Sequence, residues 1–190
     1  MLNFEEILTR TWFEVPEEYR KFAHRESPPF QIDWDYYAYC YAETFEAISK
    51  LALSDKQDLR RYAIPLFYLG RHSMELALKA AIVEFAEYTQ IPAQTAGHNL
   101  LELFDTFVEQ WEATDFPNDN GQGWESGCRE IIRHVQGIDP KNDRFRYPTD
   151  LKGNEFEYTR VELEGLVGAH KNITDFCRIS VGMLNEMLEA

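Results

Sequence analysis

The chain has 190 residues, the length of one domain, and carries 33 acidic against 19 basic side chains, a formal net charge of −14. Apolar residues make up 44% of it, which is typical of a globular protein and argues against disorder. Charge of this sign opposes the approach of nucleic acids and anionic membranes, so binding of nucleic acid would require a local cationic site.

The three cysteines, Cys40, Cys128 and Cys177, are odd in number and form no CxxC pair. We therefore expect a reducing, cytoplasmic environment and not a disulfide scaffold. Residues 1–11 are too acidic for a signal peptide, and no apolar run is long enough to span a bilayer. The chain has no HExxH, GxSxG, paired Cys/His or Gly-rich phosphate-binding motif, so we predict no metal and no cofactor. The acidic charge and the lack of a long apolar run predict no membrane partner.

The chain is predicted to divide into an N-terminal part, residues 1–32, and a helical body, residues 33–190. Residues 3–13 have apolar side chains at helical spacing, which predicts a short helix. Residues 15–30 contain three prolines, which favours an extended arm that wraps the body.

The first long helix is predicted over residues 33–53, with Asp33 or Asp35 as its N-cap. Its apolar stripe consists of Tyr37, Tyr41, Thr44, Phe45, Ile48, Leu51 and Ala52.

The second helix is predicted over residues 59–88, where Pro65 must start or kink the main part. Residues 76–86 are apolar nearly all round, which places this helix at the centre of the fold. Gly70 is expected to let another backbone come close.

Three more helices are predicted, over residues 99–111 with Asn99 at or near the cap, over residues 124–136 and over residues 158–188. The last one has a heptad-like seam suited to a bundle or a dimer contact. Its members are Leu163, Leu166, His170, Ile173, Cys177, Ser180, Leu184 and Leu188. The fold class is therefore predicted as all-α, an up-and-down bundle of four to five main helices.

The second helix contains the first candidate site. His72, Glu75 and Lys79 share one helix face, as do Arg71 and Glu75, so cations and a carboxylate line up on an otherwise apolar helix. This pattern indicates a polar slot that binds an anion or orients a base. The alternative is an Arg/Lys–Glu network that holds two helices in register.

His98 is the second candidate, because it stands at a helix start, where backbone N–H groups and the macrodipole suit an anion or an acid/base group. Alternatively, it caps the helix or bonds a neighbouring loop. His170, inside the apolar seam, is predicted to be a core histidine bonded to a neighbour.

Arg144 and Arg146 are the third candidate, in a loop predicted over residues 137–150. In an extended segment their alternation would put both guanidinium groups on the same side, and arginine suits phosphate through its planar donor fork. The alternative is that one of them pairs with Asp139 or Asp143 to lock the loop.

Arg129 and His134 are the fourth candidate. A histidine can act as base or acid for the 2′-hydroxyl of RNA while an arginine holds the developing phosphate charge, without a metal. About one such spacing is expected by chance in a chain of this composition. On a straight helix the two side chains also diverge by about 140°, so they converge only at a helix end or across a dimer axis.

Three fragments together resemble bacterial proteins of the HEPN superfamily. They are YLGRHSMELALK at residues 68–79, GHNL at residues 97–100, and FRYP at residues 145–148 after an Asp-Pro. The resemblance covers about residues 59–150. It implies a four- or five-helix bundle, often a homodimer, and in many members a metal-independent RNase of toxin–antitoxin or phage-defence systems.

The superfamily signature is an arginine followed after four to six residues by a histidine near the dimer axis, and Arg129 and His134 match it. Glu130 departs from the commonest form, in which a polar residue such as Asn follows the arginine. The resemblance thus implies a dimer that cleaves RNA, with Arg129 and His134 catalytic and an antitoxin or other protein as a further partner.

The remaining candidates are assigned to anion or RNA binding: Arg71, His72, Lys79, His98, Arg144, Arg146 and Tyr147. The rival hypothesis is a non-catalytic HEPN-like module that binds a protein partner or a nucleotide. Convergence of His72, His98, Arg144 and Arg146 would indicate an anion site different from the pair of Arg129 and His134.

Overall fold

The structure is a computed structural model that describes residues 23, 27–28, 31–54, 59–114, 122–157 and 159–189. The chain divides into two compact units, residues 1–31 and residues 32–190. The predicted helix over residues 3–13 and nearly all of the predicted arm over residues 15–30 lie outside the described residues.

The described residues of the second unit confirm the all-α prediction. They form α1 (Trp34–Ser54), α2 (Leu59–Thr89), α3 (Leu100–Glu112), α4 (Gln122–Ile138) and α5 (Leu163–Glu189). Their one β feature is an isolated bridge between Thr149 and Glu155. Helix α2 packs against α1, α3 and α5, whereas α4 packs against α3 and α5. None of the described helices has the length and apolar character that a membrane span requires.

Helix α1 starts as predicted, because Oδ1 of Asp33 accepts a hydrogen bond from the backbone N–H of Tyr36 at 2.9 Å. Its buried stripe is narrower than predicted: Phe45 and Ala52 are buried, but Tyr37, Thr44 and Leu51 are exposed. The reason is that α1 packs chiefly against one neighbour, α2, with a smaller contact to α5.

Helix α2 is the centre of the bundle, as its composition predicts, and every residue from Ser73 to Ile82 is buried. The helix begins at Leu59, as predicted, and runs through Pro65, so Pro65 does not start its main part. Gly70 accommodates a side chain, not the expected backbone: a Cβ at this position would lie 2.8 Å from Cε2 of Phe45.

Helix α3 is capped as predicted, since Oδ1 of Asn99 accepts from the backbone N–H groups of Leu101 and Glu102. Helix α4 continues to Ile138, so the following loop begins at Asp139.

Helix α5 starts at Leu163, five residues later than predicted. The carbonyl of Glu162 accepts the first turn's hydrogen bond from Leu166. The predicted seam of α5 is buried in the chain's own core from Leu163 to Leu184, and only Leu188 is exposed. The seam therefore serves the bundle.

Candidate functional site

Helix α2 carries three charged side chains one turn apart in or beside its buried stretch. Arg71, Glu75 and Lys79 follow one another at four-residue spacing, so they lie along one face of the helix. Arg71 is fully buried, Glu75 is 1% exposed and Lys79 is 6% exposed. Charges buried to this degree need partners, because moving an ion out of water is costly.

Glu75 is the centre of this cluster. Its Oε1 accepts a hydrogen bond from Nζ of Lys79 at 2.9 Å and lies 2.8 Å from Nδ1 of His98. Its Oε2 lies 3.6 Å from Nη1 of Arg71. Burial acts to raise the pKa of Glu75, but the hydrogen bonds from Lys79 and His98 outweigh burial, so the pKa is lowered from its ordinary value. Glu75 is therefore ionised in the folded protein.

The ionised carboxylate determines where His98 carries its proton. A carboxylate has only acceptor atoms, so Nδ1 of His98 donates the hydrogen bond to Oε1 of Glu75. The His98 side chain is 66% exposed.

The same charges hold the loop between α2 and α3. Nζ of Lys79 donates to the carbonyl of Gly97 at 2.9 Å, and Nη2 of Arg71 donates to the carbonyl of His98 at 2.7 Å. Gly97 has a φ of +81°, which disfavours any residue with a Cβ even though space is open there. His98 is thus a neighbour-bonded residue, whereas Asn99 caps α3.

Gln136 of α4 ties the cluster to the rest of the bundle. Its Oε1 accepts from Nη2 of Arg71 at 3.2 Å and from the backbone N–H of Leu100 at 2.9 Å. Its Nε2 donates to the carbonyl of Pro140 at 2.9 Å. The cluster therefore fixes α2, the start of α3, α4 and the following loop relative to one another. The network thus joins more elements than the two helices that the sequence predicted it would hold in register.

Asp139 organises the loop after α4 from a fully buried position. Its Oδ1 accepts from the backbone N–H groups of Asp143 and Arg144 at 2.9 and 3.2 Å. Burial lowers the pKa of Arg71, and the negative charges of Asp139 and Glu75 oppose that shift. Among the described residues neither the Arg144 nor the Arg146 guanidinium forms an ion pair with Asp139 or Asp143, so the predicted alternative of such a pair is wrong; Asp139 bonds the backbone of Arg144 instead.

Arg144 and Arg146 point to different neighbours. The backbone N–H groups of Arg146 and Tyr147 both bond the carbonyl of Asp143, which makes this segment a turn. The alternation expected for an extended strand therefore fails. Arg144 donates to Oγ1 of Thr159 at 3.1 Å and stands 5.7 Å from the Phe156 ring centroid.

Arg146 instead joins a group of aromatic rings, here called the Tyr68 surface: Tyr41, Tyr68, His72, Arg146 and Tyr147. The Arg146 guanidinium carbon lies 5.7 Å from the ring centroid of Tyr68 and 5.2 Å from that of Tyr147. Its Nη2 also donates to the Tyr147 hydroxyl at 3.3 Å. Arg146 and Tyr147 are exposed, whereas Tyr41, Tyr68 and His72 are partly buried.

His72 connects the Tyr68 surface with the buried charges. Its ring is parallel to that of Tyr68, with centroids 6.0 Å apart, and edge-on to that of Tyr41 at 4.7 Å. Burial lowers the pKa of His72; the charge of Glu75 opposes the shift, whereas Lys79, His98 and Arg71 add to it. His72 therefore lies within electrostatic reach of the whole cluster and stays neutral at neutral pH.

Arg129 is held by carboxylates. Its Nη1 donates to Oδ1 of Asp105, and its Nη2 donates to Oε1 of Glu125 at 3.2 Å. Its guanidinium carbon also stands 5.0 Å from the Phe104 ring centroid. The hydrogen bond to Asp105 is the main cause of the raised pKa of Arg129. The side chain thus faces α3.

His134 is exposed and faces a different part of the bundle. It lines a groove of about 460 Å³ between α4, the start of α5 and the segment before α5. Glu130, Arg160 and Glu162 line the same groove, whereas Arg129 does not. Arg129 contacts Asp105, Glu125 and Phe104, and none of these three residues lines the groove of His134. Within one chain, the structure therefore does not bring Arg129 and His134 together.

His170 is the core histidine that the sequence predicts. Its Nε2 lies 2.9 Å from Oγ of Ser73, and its ring centroid lies 4.1 Å from that of Phe45. Burial lowers its pKa to about 4, so it is neutral in the folded protein at neutral pH.

Sequence reasoning missed Gln136, Tyr68 and Tyr41. Tyr68 stands one turn before His72 on α2, and this spacing could have indicated it. Gln136 had no such signal, because its partner Arg71 is 65 positions away in the chain.

Comparisons with protein-family models, with curated proteins and with solved structures found no match to this chain. The described residues contain no cluster of three or more His, Cys, Asp or Glu side chains suited to a metal ion.

Proposed function

We propose that this chain is a HEPN-like binding module that holds single-stranded RNA, or a nucleotide with the same base and phosphate, on the Tyr68 surface. The observation that carries the proposal is the position of Arg146 over both Tyr68 and Tyr147. Aromatic faces stack on bases, and an arginine fork binds phosphate.

The charge of the chain limits the size of the ligand. A net charge of −14 repels a long polyanion, whereas a local cation beside aromatic rings suffices for one or a few nucleotides. Arg71 and Lys79 of α2 are buried and paired with Glu75. Within the Tyr68 surface the exposed cation is Arg146, whose Nη1 also donates to the carbonyl of Asn142 at 3.4 Å.

Titration of the full chain with a nucleoside monophosphate and with a short single-stranded RNA tests this proposal and separates the two ligands. Arg146→Ala is expected to weaken binding about ten-fold or more, and Tyr147→Ala by a similar factor through lost stacking. Arg178→Ala is the control, because Arg178 is also an exposed arginine, on α5, where it pairs with Asp175. Equal affinity of the wild type and Arg146→Ala, or no binding by the wild type, would reject the proposal.

A second candidate function is the metal-independent endoribonuclease implied by the HEPN resemblance, with Arg129 and His134 as catalytic residues. The exposure of His134 beside an open groove favours it. Arg129 does not line this groove and is bound by Asp105 and Glu125, so in this reading a second copy of the chain would have to bring its Arg129 to His134.

Incubation of the purified protein with total RNA in EDTA, with the wild type beside His134→Ala, tests this second function. Cleavage by the wild type that His134→Ala abolishes is the expected result. Absence of cleavage, or equal cleavage by the variant, would reject it. A homodimer, a protein partner such as an antitoxin, a role in phage defence and a cytoplasmic location follow from the resemblance and composition alone. Sedimentation velocity of the full chain tests the dimer.

A further inference from the structure

The groove that His134 lines, here called the His134 groove, has a mainly apolar lining. Its volume of about 460 Å³ lies within the range of about 300–1,000 Å³ that is typical of small-molecule sites. Phe67, Val135 and Leu166 of this lining are buried, whereas its other apolar side chains are only partly buried: Ile131, Ile138, Val161 and Ala169. Apolar surface at an open groove gains free energy when an apolar ligand displaces water from it.

The side of the groove that α5 contributes is made of small residues. Gly165 and Ala169 stand one turn apart on this helix, and both line the groove. A Cβ at Gly165 would meet no atom within 4 Å. The space beside Gly165 is therefore not filled by the packing of the chain's own helices, and a ligand can occupy it.

The polar side chains of the groove leave one carboxylate unpaired. Nε of Arg160 lies 2.7 Å from Oε1 of Glu162, so these two charges offset each other. Glu130 is exposed, and its side chain forms no ion pair or hydrogen bond with another described residue. His134 follows Glu130 by one turn of α4, so the two side chains share a helix face. The groove thus combines an apolar lining with a free negative charge.

We propose that the His134 groove binds a small amphiphilic amine, an apolar ring or chain that carries a single protonated amino group. The apolar body occupies the space beside Gly165, and the ammonium donates to the Glu130 carboxylate. In its neutral form His134 has one acceptor nitrogen for the same ammonium. The net charge of −14 attracts a cation over a longer range and repels an anionic amphiphile. The groove shares no residue with the Tyr68 surface, so this inference does not rest on the proposed function.

The test uses the isotope-labelled full chain and three naphthalene probes of similar shape and different charge. They are 1-naphthylmethylamine, 1-naphthylmethanol and 1-naphthoate, and an NMR titration follows the amide signals of residues 130–138 and 160–169. The amine is expected to bind about three-fold more tightly than the alcohol, because one exposed ion pair contributes a factor of this size. The naphthoate should bind most weakly, because Glu130 repels it.

Two substitutions separate the charge of the groove from its shape. Glu130→Gln is expected to remove the advantage of the amine while it leaves the affinity for the alcohol within about two-fold. Gly165→Leu should fill the groove and weaken binding of both the amine and the alcohol about ten-fold or more. Gly182→Leu is the matched control on the same helix, since a Cβ there also meets no atom within 4 Å, and it should bind like the wild type. Thermal melting identifies an unfolded variant, and Glu130→Gln, at an exposed position, keeps the test decisive if Gly165→Leu does not fold.

Three kinds of result would overturn the inference. The first is no amine binding by the wild type, equal affinities for the amine and the naphthoate, or equal amine affinities of the wild type and Gly165→Leu. The second is amine binding that Arg146→Ala abolishes, because the probe would then lie on the Tyr68 surface; retained binding by this variant supports the groove. The third is a set of amide shifts at residues 160–169 that depend on protein concentration without any amine, because a second copy of the chain would then cover the groove.

Discussion

Nη2 of Arg71 donates a hydrogen bond to the backbone carbonyl of His98 at 2.7 Å, although the two residues are 27 positions apart in the chain. A fully buried guanidinium on the central helix thereby holds the loop that carries His98. The same nitrogen also bonds Gln136, so one side chain connects three parts of the bundle.

Arg71→Met is expected to lower the free energy of unfolding by about 3–5 kcal/mol, because it removes one partner of a buried charge network. Glu75 would lose a cation, and the carbonyl of His98 a donor. Urea unfolding measures the change. Lys50→Met, which removes an exposed i,i+4 partner of Glu46 on α1, is the control and should change stability by no more than about 0.5 kcal/mol. Similar losses in both variants would contradict the structural role of Arg71.

Gly70→Ala is expected to destabilise the fold by about 1–3 kcal/mol through overpacking. The new Cβ would lie 2.8 Å from the ring of Phe45, which is fully buried and has His170 as its ring neighbour. Gly168→Ala on α5 meets no atom within 4 Å and should stabilise the protein by up to about 1 kcal/mol through helix propensity. Thermal unfolding compares the two, and a stable Gly70→Ala would show that Phe45 is not confined.

His170 should make the protein less stable as the pH falls. Its folded-state pKa of about 4 lies below the ordinary histidine pKa of 6.5, so the unfolded chain binds more protons between these values. The contribution of neutral His170 is complete above pH 6.5 and is lost as the pH falls towards 4, by about 3 kcal/mol. Urea unfolding from pH 4 to pH 7 should give a smaller slope for His170→Asn than for the wild type. Parallel slopes would mean that His170 does not titrate differently on unfolding.

The three thiols should react at different rates. Burial raises the pKa of Cys128 to about 12 and also raises the pKa of Cys177, so both lack the reactive thiolate. Cys40 is only partly buried. Alkylation of the native protein followed by mass spectrometry should therefore label Cys40 first, with Cys128 and Cys177 labelled after denaturation. Fast native labelling of Cys177 would contradict its position in the core.

Periodicity predicted the helices because it reports directly on burial. The apolar run on α2 placed that helix at the centre, the seam of α5 from Leu163 to Leu184 is buried, and Asn99 caps α3. Tyr37 and Leu51 were predicted in the apolar stripe of α1 by the same periodicity, but both are exposed. An apolar side chain is buried only if another helix covers it, and which helix packs on a given face depends on the tertiary structure.

The RHSMELALK segment of α2 was enough to place Arg71, Glu75 and Lys79 on one face, because helical spacing is a local property. Which partner each charge takes was decided by the tertiary structure. Hydrogen bonds join Glu75 to His98 and Arg71 to Gln136 across 23 and 65 positions. Because the segment after α4 is a turn, Arg146 contacts Tyr68 and Arg144 contacts Phe156. The alternation of an extended strand would have put the two arginines on the same side. The sequence alone determined the acidic, all-helical body. Long-range packing, which follows no local period, decided that Arg146 contacts the aromatic rings and that His98 bonds the Glu75 carboxylate.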